Sequence, residues 1–132
     1  MLGKENLGSL TLISGEVSAT ISANYIVRIS STAGEMILPP GVADPIAGVV
    51  DADVAAGDPG EVQYQGMAYC VASGAIACGA RVGVDNANPG KVKAFASDPT
   101  TAATIVGDAL SAAATDGDIF LVMLKIQNTF SS

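Results

Sequence analysis

The chain has 132 residues, of which 49% are hydrophobic but only 5% aromatic, and it contains neither Trp nor His. Its net charge of −7 argues against a nucleic-acid groove, because phosphates need clustered Lys and Arg. The absence of His excludes Ser-His-Asp triads, Cys-His dyads and His-ligated zinc. We expect one soluble domain without a cofactor or a membrane span, since the uncharged stretch 62–80 is interrupted by Gln and Gly.

Residues 1–15 differ from the rest of the sequence and carry no apolar run of signal-peptide length. Their large apolar residues are separated by Gly, Ser and charged residues: Leu2, Leu7, Leu10, Leu12 and Ile13. Two interpretations remain open. One is an extended arm that adds to the sheet edge of a neighbour. The other is the first strand of the body with a frayed end. We divide the chain into an arm, 1–15, and a β-rich body, 16–132.

Period-2 alternation of apolar and polar residues dominates the body and predicts β-strands. It occurs in the stretches EVSATIS, NYIVRIS, EVQYQGMAYCV and ARVGVD. In NYIVRIS, the alternation places Tyr25, Val27 and Ile29 on one face, opposite Arg28. Turn residues separate the strands about every ten positions, which is typical of a single antiparallel barrel or sandwich. Helix is scarce, with a short turn in DPTTAATIV or DALSAAAT as the best candidate.

DIFLVMLKI, residues 118–126, is a continuous apolar run, which suits a strand buried on both sides. It ends the second half of an internal repeat, in which Ile46 matches Ile105 and Gly48 matches Gly107, 59 positions later. In both halves an acidic-Gly turn then leads into an apolar strand. Two copies are too few for a solenoid. The repeat therefore predicts pseudo-symmetric hairpins that close one barrel-like body.

The stretch GAIACGARVGVD resembles the phosphate-binding pattern G-x-x-x-x-G-K-[ST], but Ala80 and Arg81 stand where Lys and Ser/Thr are needed. The residues that follow alternate like a strand and do not begin a helix. We therefore interpret Gly74 and Gly79 as backbone bends with positive φ. Residues 75–77 between them are expected to face the core.

Acidic residues cluster in the middle of the sequence, at Asp44, Asp51, Asp53, Asp58 and Glu61. The calcium-loop pattern D-x-[DN]-x-[DN]-G fails, because Ala55 and Ala56 replace its last two members. We interpret the cluster as solvated turn carboxylates and expect no metal site.

Asp116 and Asp118 are spaced like a carboxylate pair for acid–base work on a sugar. Such a site needs aromatic platforms, and the chain has only three Tyr and no Trp. A hairpin turn explains Asp116-Gly117-Asp118 better, so we expect no catalytic residues.

Cys70 and Cys78 give neither a metal-ligand spacing nor a disulfide framework. A bridge between them is sterically conceivable. The favoured interpretation is two small buried apolar residues.

Three segments in a fixed order carry a family resemblance: YIVRISSTAGEMIL, then IAGVVDADVAAGDPGEVQYQGMAYCVASGAIACGARVGVDNANPGKVKAF, then IVGDALSAAATDGDIFLVML. Together they span about residues 25–125 and resemble the capsid cement, or head decoration, proteins of tailed bacteriophages. The resemblance implies a β-tulip-like, non-enzymatic protein on the outer surface of the capsid in the virion, assembled in the host cytoplasm. It also implies the major capsid protein as partner and a homotrimer at threefold or quasi-threefold positions.

The function implied by this resemblance is mechanical, because each copy bridges neighbouring shell subunits and modest contacts multiply through avidity. The leucines and Ile13 of residues 1–15 are the candidate capsid contacts. An alternative from another class is a carbohydrate- or cell-surface-binding module, which needs an exposed aromatic cluster around Tyr64 and Tyr69. A hydrolase using a carboxylate pair is a weaker third hypothesis.

Overall fold

The computed structural model describes residues 9–15, 20–39, 46–85, 87–95 and 103–130, which form ten β-strands. The first five are β1 (Ser9–Ser14), β2 (Ile26–Ile29), β3 (Glu35–Ile37), β4 (Gly48–Val50) and β5 (Pro59–Gln63). The second five are β6 (Gly66–Val71), β7 (Arg81–Val84), β8 (Val92–Phe95), β9 (Ala103–Ala109) and β10 (Ile119–Phe130). Among these described residues there is no helix, and so none long and apolar enough to cross a membrane.

The ten strands form two five-stranded sheets. The first is a closed barrel with the order β1-β3-β2-β4-β5, and the second has the order β6-β10-β9-β7-β8. The all-β, barrel-like prediction is therefore confirmed. The helical turn proposed within DALSAAAT is wrong, because those residues form the end of β9, a bend and an isolated bridge. DPTTAATIV lies partly outside the described residues.

The two sheets follow the same cycle of strands. Adding five to each strand number of the barrel gives the cycle β6-β8-β7-β9-β10. The second sheet has the same neighbours, read in the opposite direction, and it is open between β6 and β8. Even that opening is bridged, because Ala72 and Val92 form one parallel pair. The corresponding barrel pair, Ser14 and Met36, is also parallel. The described chain therefore consists of two equivalent five-stranded units, the first unit (β1–β5) and the second unit (β6–β10).

Backbone hydrogen bonds repeat between the units in matching places. The amide of Ser14 donates to the carbonyl of Asp58 at 2.9 Å, and the amide of Ala72 donates to that of Asp118 at 2.8 Å. Isolated antiparallel bridges likewise join Ile21 to Val54 and Ile76 to Ala113. This agreement gives the equivalent positions residue by residue.

The repeat predicted from Gly48 and Gly107 is one part of this duplication. In both units this glycine lies where a neighbouring strand passes closely, because a Cβ would collide with the carbonyl oxygen of Gln63 or of Met123, respectively. The two hairpins nevertheless belong to different sheets. The prediction that they close one body together is wrong, because each completes its own unit.

Seven equivalent positions form the interior of each unit. In the first unit they are Leu12, Ile21, Val27, Met36, Val50, Val54 and Val62. In the second unit they are Cys70, Ile76, Val82, Val92, Ala109, Ala113 and Val122. The second set is smaller in volume, so another side chain must complete its core.

That side chain is Phe120, which is fully buried and is equivalent to Gly60 of the first unit. A Cβ at Gly60 would lie 2.5 Å from Val54 Cγ2 and 2.9 Å from Met36 Cε. The second unit has smaller residues at both neighbouring positions, which leaves space for the ring. Protein interiors are close-packed, so a large residue at one position must be matched by small residues beside it. The first unit combines Gly60 with the larger Met36 and Val54, and the second combines Phe120 with the smaller Val92 and Ala113.

The first unit also contributes to the core of the second. Val27 and Val50 point into the barrel, whereas Ile26 and Val49 belong to the core cluster of the second unit. Since successive side chains of a strand point to opposite faces, β2 and β4 form one wall shared by two cores. NYIVRIS therefore has both faces buried at its start, while Ile29 is exposed, contrary to the expected single face.

Two further strand predictions need correction. EVQYQGMAYCV is not one strand but two, because the chain leaves the barrel after Gln63 and enters the second sheet at Gly66. DIFLVMLKI forms most of the described part of β10 but is buried on one side only, because Phe120 and Val122 face the core while Ile119 and Met123 are exposed.

Replacing Phe120 by Ala is expected to lower the free energy of unfolding by about 3–5 kcal/mol, because the small residues around it cannot close the cavity. Chemical denaturation at neutral pH measures the change. Ile13→Ala serves as the control, since Ile13 is exposed and its truncation should cost well under half as much. Equal losses in the two variants would contradict the assignment of Phe120 as the residue that completes the second core.

Candidate docking surfaces

An open apolar groove lies at the end of the barrel where β1 and β4 begin and β2 and β5 end. It has a volume of about 520 Å³ and is lined by Leu10, Ile29, Ile46, Ala47, Tyr64 and Ile126. We call it the mouth groove. None of its six lining residues carries a charge and five of them are aliphatic, so the groove suits an apolar surface.

The equivalent end of the second unit is closed. The residues that correspond to four of the lining positions are buried in its core cluster: Ala68, Val84, Val106 and Leu124. Ile26, Ile46 and Val49 of the first unit belong to the same cluster. The outer wall formed by β2 and β4 thus covers the mouth of the second unit, while none of the described residues covers the mouth of the first unit.

A second apolar surface covers the outer side of β6 and β10. It consists of Met67, Tyr69, Ile119, Leu121 and Met123, and we call it the sheet face. Direct cross-strand pairs join Met67 to Met123 and Tyr69 to Leu121. At its margin Lys125 and Asp108 form an ion pair at 3.1 Å, so their charges compensate each other. Five neighbouring uncharged side chains on one sheet surface form an apolar patch, the kind of surface at which soluble proteins commonly bind a partner.

The structure separates the predicted capsid contacts. Leu12 is buried in the barrel and Leu10 lines the mouth groove, whereas Ile13 points outward and is 45% exposed. Leu2 and Leu7 lie outside the described residues. Leu10, Leu12 and Ile13 belong to β1, which pairs with β3 and β5 in the closed barrel. The arm interpretation therefore concerns residues 1–8, and the remaining contact assignments stay predictions.

A carboxylate fastens the outer side of β1 to β5. The hydroxyl groups of Ser9 and Thr11 donate to Glu61, at 3.3 and 2.9 Å respectively. These side-chain bonds add to the backbone hydrogen bonds of β1, which lies between β3 and β5 in the closed barrel. Removing β1 would therefore open the barrel. Any test of the N-terminal residues must therefore stop before Ser9.

The two tyrosines of the carbohydrate-binding alternative are both accessible, at 37% for Tyr64 and 58% for Tyr69. Each lines its own groove. Tyr64 belongs to the mouth groove, whereas Tyr69 borders a groove of about 410 Å³ with Asn24, Asp51 and Gln63 beside it. The alternative stays a prediction, and it is now restricted to the groove of Tyr69, where polar side chains are available.

The phosphate-loop resemblance has a backbone explanation. Gly74 and Gly79 have φ angles of +103° and +88°, which confirms their interpretation as bends. Ile76 between them is buried and bridges to Ala113. Ala75 and Ala77 are exposed, so the prediction that residues 75–77 all face the core is correct only for Ile76.

The acidic residues serve turns and strand pairing. Asp53 accepts a hydrogen bond from the amide of Ala23 at 2.8 Å, and Asp118 accepts from the amides of Ala114 and Thr115. The described residues contain no group of three or more side chains that could hold a metal ion. Asp44 lies outside them. Asp116 forms an exposed ion pair with Lys91 at 3.3 Å.

The cysteines are not bridged. Cys70 lies in the second core, where burial raises the pKa of its thiol to about 12. Cys78 is exposed, and its thiol donates to the carbonyl of Leu110 at 3.4 Å. The expectation of two buried cysteines is therefore correct for Cys70 and wrong for Cys78.

One buried carboxylate organises the loop after β7. Asp85 accepts hydrogen bonds from the side chains of Ser73 and Asn88 and from the amide of Ala87. Burial by itself raises the pKa of Asp85, but these bonds, together with the charge of Lys93, lower it below its ordinary value. The group is therefore ionised in the folded protein and ties the end of β6 to the β7–β8 loop.

The model of the phage cement protein family matches residues 9–124, which includes the first unit and all of the second except the last part of β10. This chain belongs to that family. As a cement-family member it is a structural protein of a phage capsid, bound to the capsid in the virion. None of the curated proteins compared with it matches.

A solved structure has the same fold as this cement-family chain. It is the head fiber gp8.5 N base of bacteriophage phi29, with a TM-score of 0.66 over 94% of this chain and 98% of that chain. The two sequences are 16% identical, so the likeness shows the shared fold alone. The expected family is thus confirmed by the family match.

Asp85→Asn is expected to lower the free energy of unfolding by about 1–3 kcal/mol at pH 7, because charge-assisted hydrogen bonds are lost. The folded pKa lies below the unfolded value of about 3.9, so this contribution is present above pH ~4 and lost as the pH falls through the folded pKa. Denaturant titrations from pH 7 to pH 3 should show the two proteins converging at acidic pH. A constant gap would contradict an ionised Asp85 clamp.

Proposed function

We propose that the protein is a non-enzymatic cement that binds the outer surface of the mature phage head, as a homotrimer, and links neighbouring major capsid subunits. The family match over residues 9–124 carries this proposal. The absence of His and Trp from the whole chain supports it, since hydrolytic sites commonly depend on such residues. The charge of −7 favours a position on the outside of the shell, away from packaged DNA.

The proposed mechanism is mechanical. Two five-stranded units share one wall, so a load applied to one unit passes through packed side chains to the other. A body that contacts two shell subunits at once converts the second contact into an intramolecular event, and the combined affinity exceeds that of either contact. Shell subunits joined in this way separate only when both contacts open together.

For the shell contact we propose residues 1–8 together with the exposed Ile13 of β1. Leu2 and Leu7 are large apolar residues that precede the first barrel strand. Burying a leucine side chain contributes about 1.5–3 kcal/mol, so two such anchors account for a large share of a specific contact. Leu12 is removed from the contact set, because it already fills the barrel interior, and Leu10 is left out because it lines the mouth groove.

Replacing Leu2 and Leu7 together by Ser is expected to reduce binding to expanded, empty heads at least tenfold, because about 1.4 kcal/mol corresponds to one factor of ten. Co-sedimentation with heads measures the occupancy. The matched control replaces Lys4 and Asn6 by Ser, which changes the same segment but keeps both leucines. Wild-type occupancy in the leucine variant would overturn the contact assignment, and failure of the wild-type protein to co-sediment would overturn the cementing function itself.

Carbohydrate binding remains the second candidate, favoured by the exposed ring of Tyr69 beside Asn24 and Asp51. A ring next to amide and carboxylate groups is an arrangement that sugars use. If this candidate is correct, the protein binds a glycan array and Tyr69→Ala abolishes the binding, whereas Tyr64→Ala leaves it intact. Absence of glycan binding by the wild-type protein would reject it.

A further inference from the structure

Two apolar surfaces of this chain have no partner within the described residues, the mouth groove and the sheet face. Ile29 of the groove is 54% exposed, and Ile119 of the sheet face is 57% exposed. Large apolar side chains at such exposure are unfavourable in water when they form a continuous patch. DIFLVMLKI has the composition of a strand buried on both sides, yet the described residues cover only one of them.

The covered end of the second unit shows which kind of surface can close the apolar mouth of such a unit. The mouth of the second unit is covered by the outward side of an antiparallel strand pair, where Ile26 and Val49 lie directly opposite each other. The equivalent pair in the second unit is Arg81 and Asp108, which is charged. The wall of the second unit therefore cannot close another mouth in the same way. Its apolar outer surface lies instead on β6 and β10.

We propose that the sheet face of one copy closes the mouth groove of a second copy of this chain. The occupant is again the outer side of an antiparallel strand pair, as in the contact between the two units. This inference deepens the proposed homotrimer by naming its interface, and it rests on that part of the proposed function only. Binding to the shell is not required for it.

Charge favours a second copy as the occupant. Two copies that each carry −7 repel each other, so they meet most favourably where few acidic side chains are presented. The side chains of the mouth groove and of the sheet face are uncharged, and at the margin of the sheet face the ion pair of Lys125 and Asp108 is compensated, while Asp51 lies beside Tyr69. A partner of opposite charge would instead be expected to contact the acidic turns.

The available area also suits a contact between copies. The four most exposed side chains of the sheet face present on the order of 400 Å², taking roughly 200 Å² for a large side chain. Because the two surfaces differ, the contact is heterologous, and each copy uses its face on one side and its mouth on the other. At each contact the apolar face thus supplies about half of the roughly 800 Å² per partner that a specific interface buries, and the polar margins around it supply the rest. Heterologous contacts close into a ring when the rotation between copies closes and extend into filaments when it does not, so the proposed homotrimer requires a threefold rotation.

The test uses three exposed isoleucines of the full chain. Ile119→Lys charges the sheet face, Ile29→Lys charges the mouth groove, and Ile13→Lys is the control on neither surface. All three side chains are at least 45% exposed, so the variants are expected to fold, which thermal unfolding checks. In sedimentation equilibrium the wild-type protein and Ile13→Lys should be oligomers of the 13.1 kDa chain, and the other two variants monomers.

Mixing the two monomeric variants is the decisive measurement. The Ile119→Lys copy keeps an intact mouth and the Ile29→Lys copy keeps an intact face, so one interface can form between them. An equimolar mixture should therefore give a 1:1 dimer, while each variant alone stays monomeric. A mixture that stays monomeric would overturn the pairing of face with mouth, and so would a monomeric wild-type protein.

Other occupants give different outcomes. If Ile29→Lys remains oligomeric but no longer binds empty heads, the shell occupies the mouth and the inference is wrong. If replacing Leu2 and Leu7 by Ser dissociates the oligomer, the N-terminal residues occupy it, and the inference is again wrong. The oligomeric state is measured without heads, so a failure of the cementing function leaves this result unaffected.

Discussion

The shared wall of β2 and β4 is the constraint on which the rest of the structure depends. Val27 and Val50 complete the barrel, while Ile26 and Val49, one position away, complete the second core. Because the side-chain period of a strand is two, a shift of one residue would turn each set to the opposite face, and both cores would have to repack around side chains of different size. Neither unit can therefore be repacked on its own, and the relative placement of the two units follows from the register of two short strands.

Local patterns carried much of the fold. Alternation and turn residues located most strands and the barrel-like class, and the matching glycines at 48 and 107 revealed part of the duplication. The division into two sheets could not be predicted from the sequence, since which strands pair with each other depends on contacts between residues far apart in the chain. In residues 61–71 the alternation continues across the bend at Tyr64 and Gln65, so nothing in the pattern marks the point where the chain changes sheets.

The docking surfaces were harder to foresee for a related reason. An apolar run such as that of β10 reports burial, but not whether the covering surface belongs to the same chain. Ile13 and Leu12 are adjacent and equally apolar, yet one is exposed and the other fills the barrel. Only the position of the neighbouring strands distinguishes them. The comparison of equivalent positions shows which apolar residues lack a cover among the described residues. The mouth of the second unit is covered by the wall of β2 and β4, whereas the equivalent mouth of the first unit is not.

The volume exchange around Gly60 and Phe120 has a consequence for how the two halves of the gene can diverge. A phenylalanine copied into the first unit would meet Met36 and Val54, and a glycine copied into the second would leave a void beside Val92 and Ala113. Three positions must change together, which is strong epistasis. Recombination that copies a short segment of one half into the other would therefore be selected against. The three coupled positions of each half are expected to be inherited together.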